Sequence, residues 1–293
     1  YGQKYHCWKE KGHGFMKLRN AIKQSCDTYF YEVARLLGVD RLSITAKKYG
    51  LGNKLLQDFY LEEKKGIVPN TKWKKDTLGK GWVLGESLIT GIGQGYISTT
   101  PLQLCLMTAH LANGGFRIKP RIVDDGSISF KDIKEKIENQ LYEIGLIHNL
   151  NALKDKEPKF LEPMFKNQEN IKFVCDAMYG STNELYGTSY KSRIEDEKYQ
   201  FAGKTGTSQV KKITEAEREA DLETSEIPYK NRDHALYVAF GPYKNPRYSV
   251  SILIEHGGTG STAAAPLAKK IFKKVIDRHE KREKIRLSRK QSI

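Results

Sequence analysis

The chain has 293 residues, 39% hydrophobic and 29% charged, which suits a folded globular protein with room for one large domain or two modest ones. Its net charge of +15 is spread among Ile, Asn and Glu and accompanies no zinc finger, RNA-recognition motif or Walker loop, which argues against a nucleic-acid partner. No stretch is apolar for the roughly eighteen residues a membrane helix needs, residues 1–20 hold no signal-peptide core, and four cysteines make no disulfide framework in a chain this long.

Residues 17–37, KLRNAIKQSCDTYFYEVARLL, place apolar side chains at helical spacing on either side of Ser25 and stop at Gly38. VDRLSITAKKYGLG reads as a second short helix, opened by Asp40. Residues 53–85, with Pro69, several glycines and scattered Trp, read as loop. GIGQGYISTTPLQLCLMTAHLANGG is a glycine-rich turn, a Thr-Pro helix start and an apolar helix closed by Asn113-Gly114-Gly115. FRIKPRIV is extended or an edge strand, because Pro120 cannot serve a central one. Residues 124–170 form a charged, helix-permissive elaboration. NIKFVCDAMYG restores an apolar helix, in which Cys175, like Cys105 before it, reads as a buried small hydrophobe.

After the loop YGTSYKSRIEDEK comes FAGKTGTSQV, a strand-like run whose Gly203 and Gly206 mark close approach by a ligand or another backbone. Residues 211–233 read as a long, mobile, charged connection. HALYVAFGPY and RYSVSILIEHGG are strands joined by a hairpin, and TAAAPLAKKIFKKVID is a last helix running into a basic tail at 278–293. That tail reads as a solvated helix end and a disordered terminus, with an anionic lipid or polymer contact as the alternative. Helices, three antiparallel strands and a closing helix make an α+β layer structure.

Lys204-Thr205-Gly206 can present an ammonium, a hydroxyl and an open backbone edge to one anion, although taken alone a solvated strand lysine is the simpler account of Lys204. Ser25 alone fits a helix cap or a mid-helix serine, and Asp27 a cap or an ion pair. Four stretches in order, SCDTYFYEVA, GIGQGYISTTPLQL, FAGKTGTSQV and GPYKNPRYSVSILIEHGGTGSTAAAPLAKKIF, resemble the transpeptidase domain of class B penicillin-binding proteins, penicillin-binding protein 2 type, over about residues 5–276. The resemblance implies a penicillin-binding, serine β-lactamase-like fold, an antiparallel sheet flanked by helices, with a transpeptidase domain at 1–277. That family combines S-x-x-K, S-x-N or S-x-D, and K-T-G. Ser25-Cys26-Asp27 matches the second and Lys204-Thr205-Gly206 the third.

By resemblance Ser25 relays a proton toward the leaving amine and Asp27 fixes the loop and the lysine of the first motif. Lys204 supplies positive potential to a peptide carboxylate, and the Thr205 and Thr207 hydroxyls bond it. Gly206 lets substrate lie along the strand edge, and the Thr207 N–H is an oxyanion-hole donor. The literal S-x-x-K, Ser208-Gln209-Val210-Lys211, continues the K-T-G strand, where residues three apart face opposite ways, so it is a decoy. The expectation is therefore a fold incomplete at its N-terminus, lacking its nucleophile and inert alone.

Cys7, His13 and Cys26 bring two thiols and an imidazole, the donors zinc prefers, at a spacing irregular for a zinc finger; two free cysteines and a loop histidine are the alternative. The resemblance adds that this loop is where some penicillin-binding protein 2 enzymes hold a structural zinc; catalysis itself needs no cofactor. It also implies peptidoglycan stem peptides and β-lactams as ligands. Glycan-polymerising and cell-shape proteins are the implied partners, at the periplasmic face of the inner membrane, with the anchor outside this chain. A serine β-lactamase or β-lactam sensor, or a non-catalytic transpeptidase-like binding module, are the other readings.

Overall fold

The computed structural model describes residues 4–56, 62–120, 163–211 and 224–291. Most of the charged elaboration at 124–170 and of the connection at 211–233 lies outside them. The chain divides into two compact units, Tyr1–Met178 and Tyr179–Ile293.

The first unit is helical. α1 (Leu18–Lys23) and α2 (Asp27–Leu37) are not one helix but two, broken at Ser25, whose φ of +52° no α-helix tolerates. α3 (Val39–Lys48) follows as expected. The stretch read as loop contains α4 (Thr71–Leu78) and runs into α5 (Leu84–Gly91). α4 is short and lysine-rich, so no apolar stripe announces it. Its ends are set locally, by the Asn70 side chain accepting from Trp73 N and by Gly79 in the left-handed conformation. Long-range contacts hold it in place. Asp40 accepts from the Thr71 N–H, and the buried Lys74 ammonium pairs with Glu86 of α5 under the rings of Trp82 and Tyr96.

α5 crosses α2 so closely that a methyl on Gly91 would sit 2.4 Å from Ala34 Cβ. α6 (Pro101–Ala112) starts with a capping box in which Thr100 and Gln103 satisfy each other's backbone N–H groups. The fully buried Gln103 also donates to the carbonyls of Asn53 and Lys65, at 2.7 and 2.9 Å, and so pins the loop before α4. Of FRIKPRIV, residues 116–120 are described and, among the described residues, form one bridge, Phe116 to Pro163. Cys105 is half-buried rather than core, whereas Cys175 is buried, its thiol pushed up to about 12 by desolvation.

α7 (Glu169–Asn183) leads into the second unit, a three-stranded antiparallel sheet of β1 (Ala202–Ser208), β2 (His234–Gly241) and β3 (Tyr248–Ile254) in the order β1-β2-β3. On one face of β2, Ala235, Tyr237 and Ala239 are completely buried. They pack against Ala264, Ala265, Ala268, Phe272 and Ile276, from a π-helical turn (Gly260–Ala264) and α8 (Ala265–Gln291). The alanines on both sides permit close approach, and Phe272 stacks on Phe201 at 4.9 Å.

The basic segment expected to be a tail is helix as far as Gln291. Its apolar stripe ends at Ile276, but Glu, Lys and Arg are strong helix formers. Ion pairs Lys198–Glu280 (2.6 Å) and His279–Glu283 (3.1 Å) continue along its first turns past that point.

Candidate active-site motifs and metal centre

In the first unit the break at Ser25 is held from outside the helices. The Trp8 indole N–H donates to the Ser25 carbonyl at 2.7 Å, and the Trp8 backbone N–H donates to Asp27 Oδ2 at 2.8 Å. Asp27 is the first residue of α2, where the helix dipole favours a carboxylate. Asp27 thus ties Trp8 of the preceding loop to the start of α2, and no local pattern in the sequence points to that tryptophan. A left-handed serine costs on the order of 1–2 kcal/mol and survives only where its surroundings over-determine it.

The same loop carries the thiol–imidazole set. Cys7 Sγ, His13 and Cys26 Sγ all lie within 4.8 Å of one another, and both cysteines are buried. Cys7 Sγ is 3.4 Å from His13 Nδ1. A tetrahedral zinc with Zn–S near 2.3 Å and Zn–N near 2.0 Å separates its sulfur and nitrogen ligands by about 3.5 Å, so this spacing and donor set fit the ion. Burial raises the Cys7 thiol above its ordinary value, and burial together with the nearby Lys9 charge lowers His13.

In the second unit β1 pairs with β2 on one side, Lys204 opposite Val238 and Gly206 opposite Leu236. Among the described residues its other side pairs with no strand, which makes β1 an edge. Lys204 is half-buried, with Nζ donating to the Thr205 carbonyl at 2.9 Å, and Thr207 is exposed. Ser208 ends β1 opposite His234, so Ser208 and Lys211 of the literal S-x-x-K do not share a helix.

The two glycines of the run differ in purpose. Gly203 makes room for a side chain, not a ligand: a Cβ there would lie 2.2 Å from the hydroxyl of Tyr237. That phenol is fully buried, bonded to Thr182 Oγ1 (2.9 Å) and Ser189 Oγ (3.0 Å), with its pKa pushed up to about 12 by desolvation. Gly206 meets another backbone, since the π-helical turn brings Gly260 against its N and O atoms. Thr205 Oγ1 bonds Thr188 Oγ1 at 2.9 Å. The sequence by itself does not single out Tyr237, Thr188 or Gly260. Tyr237 reads there as one more apolar strand residue, and the other two lie in turns whose contacts depend on the fold.

A Lys-Thr-Gly strand at the edge of an antiparallel sheet, a small-residue helix behind that sheet, and a Ser-x-Asp turn opening a helix define the penicillin-binding, transpeptidase class of fold. The family model for the penicillin binding protein transpeptidase domain matches residues 1–276, and the chain belongs to that family. It is 34% identical to the peptidoglycan D,D-transpeptidase MrdA of Haemophilus influenzae over 273 residues, 92% of this chain and 38% of that protein. Against MrdA of Salmonella typhimurium it is 32% identical, covering 93% of this chain and 40% of the relative. The chain thus spans about two fifths of the length of these curated relatives.

Among solved structures, Pseudomonas aeruginosa PBP2 in complex with WCK 5153 superposes with a TM-score of 0.70 at 33% identity, over 92% of this chain and 51% of that one. Helicobacter pylori PBP2, in a complex with MreC, gives 0.71 at 28% identity, over 94% and 43%.

Proposed function

We propose that this chain supplies the amine-transfer and carboxylate-binding parts of a peptidoglycan D,D-transpeptidase. The observation that carries the reading is the K-T-G strand presented on an open sheet edge, with Lys204, Thr205, Gly206 and Thr207 in the family's order. A stem peptide ending in D-Ala-D-Ala lies along β1 as an added strand, its carboxylate toward Lys204 and the Thr205 and Thr207 hydroxyls. Ser25 moves a proton to the departing amine, and Asp27 holds its loop. The acyl acceptor, an amine of a neighbouring stem peptide, then takes the place of D-alanine.

The nucleophile belongs to an S-x-x-K on a helix, and the S-x-x-K in these 293 residues is Ser208 to Lys211 at the end of a strand. This polypeptide by itself is therefore proposed not to form an acyl-enzyme. Cys7, His13 and Cys26 are proposed to hold a structural zinc, whose chemistry is to fix the loop over Ser25 rather than to act on substrate. Cell-shape proteins of the MreC kind and a glycan polymerase are the proposed partners, at the periplasmic face of the inner membrane.

Intact-protein mass spectrometry after incubation with benzylpenicillin tests the proposal, on this chain and on the chain joined to an S-x-x-K helix. A penicilloyl adduct is expected on the joined form alone. No adduct on either folded form would leave a non-catalytic binding module as the better reading.

A further inference from the structure

Behind Thr205 lies a run of hydroxyls that the family motif does not include. Ser181 Oγ, on α7, is 3.0 Å from Thr188 Oγ1, and Thr188 Oγ1 is 2.9 Å from Thr205 Oγ1. Ser181 is fully buried, whereas Thr188 and Thr205 are half-buried. The direction of the protons follows from satisfying them. A buried hydroxyl proton left without an acceptor is costly, and the hydrogen-bond partner of the Ser181 side chain is Thr188. Ser181 must therefore donate to Thr188.

With Ser181 donating to it, Thr188 Oγ1 has its own proton to give, and the hydroxyl in reach is Thr205 Oγ1 at 2.9 Å; donation in that direction is the premise of the inference. The Thr205 oxygen is then an acceptor on its inner side, and its proton turns outward. Each donation also polarises the next hydroxyl, which strengthens the last donor in the chain. A second run, Thr182–Tyr237–Ser189, fixes the walls: Ser189 Oγ donates to the Ser181 carbonyl at 3.1 Å, and the Ser189 N–H donates to the same atom at 3.0 Å.

We propose that Thr188, backed by Ser181, is a positioning residue that orients the Thr205 hydroxyl as a hydrogen-bond donor to the carboxylate of the ligand. The inference rests on the transpeptidase reading, in which Thr205 meets that carboxylate. Without Thr188 the Thr205 hydroxyl is free to rotate and to spend its proton elsewhere, so recognition of the negative charge weakens while the acylation chemistry, performed by other groups, does not.

The test uses the acylating form of the protein, with benzylpenicillin and its methyl ester as probes and with binding and acylation rates separated by stopped-flow kinetics. Thr188→Val is expected to raise Kd for benzylpenicillin about tenfold, the scale of one charge-assisted hydrogen bond, with the acylation rate constant within about twofold of the parent. The ester, which has no carboxylate, is expected to bind both proteins alike. Thr188→Ser restores tight binding, and Ser181→Ala shows a smaller loss in the same direction. An unchanged Kd in Thr188→Val, or an equal loss for acid and ester, overturns the proposal. If Thr188→Val does not fold, Ser181→Ala and Thr188→Ser decide by the same acid-to-ester ratio. A parent protein that folds but is never acylated refutes the transpeptidase reading instead, and this inference falls with it.

Discussion

Two glycines that touch each other, Gly206 and Gly260, respond in opposite ways to the same added methyl. At Gly260 an alanine Cβ would lie 2.2 Å from the Leu236 carbonyl oxygen and 2.6 Å from that of Gly206. Carbon–oxygen contacts run near 3.3 Å, so the overlap is about 1.1 Å with the first and about 0.7 Å with the second, against backbone rather than a movable side chain. Leu236 and Gly206 are paired in the β1–β2 ladder, so relief means opening the ladder at the K-T-G motif or lifting the turn that starts α8. Overpacking against a rigid wall costs about 3 kcal/mol, roughly 6–12 °C in Tm for a chain of this size.

At Gly206 an added Cβ meets only Leu236 Cβ at 3.3 Å, and its backbone is not left-handed. The clash is small and is offset by the loss of glycine's freedom in the unfolded chain, so stability is expected to stay within about 1 kcal/mol. Thermal unfolding followed by circular dichroism separates the two variants, and benzylpenicillin acylation of the active form reports the site. Gly206→Ala is expected to fold normally and acylate poorly, Gly260→Ala to unfold early. A Gly260→Ala protein as stable as Gly206→Ala would refute the reasoning.

Zinc analysis of purified protein by mass spectrometry is expected to find about one ion per chain, lost in Cys7→Ala and in Cys26→Ala; a metal-free, fully folded parent would sink the metal proposal. Glu86→Gln strands the Lys74 ammonium, whose side chain is 5% exposed, and is expected to cost about 3 kcal/mol in urea denaturation. Replacing both partners with Met and Leu should recover most of that loss, and a single variant as stable as the parent would contradict it. His110 gives a pH signature. Burial lowers its affinity for protons below the ordinary 6.5, outweighing the Tyr49 and Ile118 carbonyls that face its ring nitrogens at 3.3 Å, and Nε2 also lies 3.2 Å from the Ile118 N–H. The unfolded chain therefore binds a proton that the fold refuses. The contribution is fully present above pH 6.5 and falls away as pH drops from there toward the lowered folded value. His110→Gln should flatten that part of the stability–pH curve, and an unchanged slope would rule out His110 as its source.

The candidate site was only partly legible. Ser25 and Asp27 lie at the break before α2 and Lys204 to Thr207 on β1, and the Cys7, His13 and Cys26 donors lie close together. The helix expected to run through Ser25 is broken, because Trp8 holds a conformation that no local pattern predicts. α4 escapes a linear reading because its reasons, the Thr71–Asp40 bond and the Lys74–Glu86 pair, join residues 31 and 12 positions apart. The charge of the basic stretch reads as a solvated helix end running into a disordered terminus, while the contacts from Lys198 that meet the helix come from outside it.

What the sequence alone determined are features written within a few residues of themselves. The β2–β3 hairpin follows from alternating Val, Ile and Tyr around a Gly-Pro turn, α6 from Thr-Pro at one end and Asn-Gly-Gly at the other, and the K-T-G strand from its own composition. Local backbone preference and capping act over that range, so a linear reading reaches them. Tertiary structure decided the rest: which glycine faces Tyr237 and which faces Gly260, how Ser25 is held left-handed, and which hydroxyl stands behind Thr205. Those outcomes depend on atoms far apart in the chain coming to within 3 Å, and close packing, not local preference, selects which ones meet.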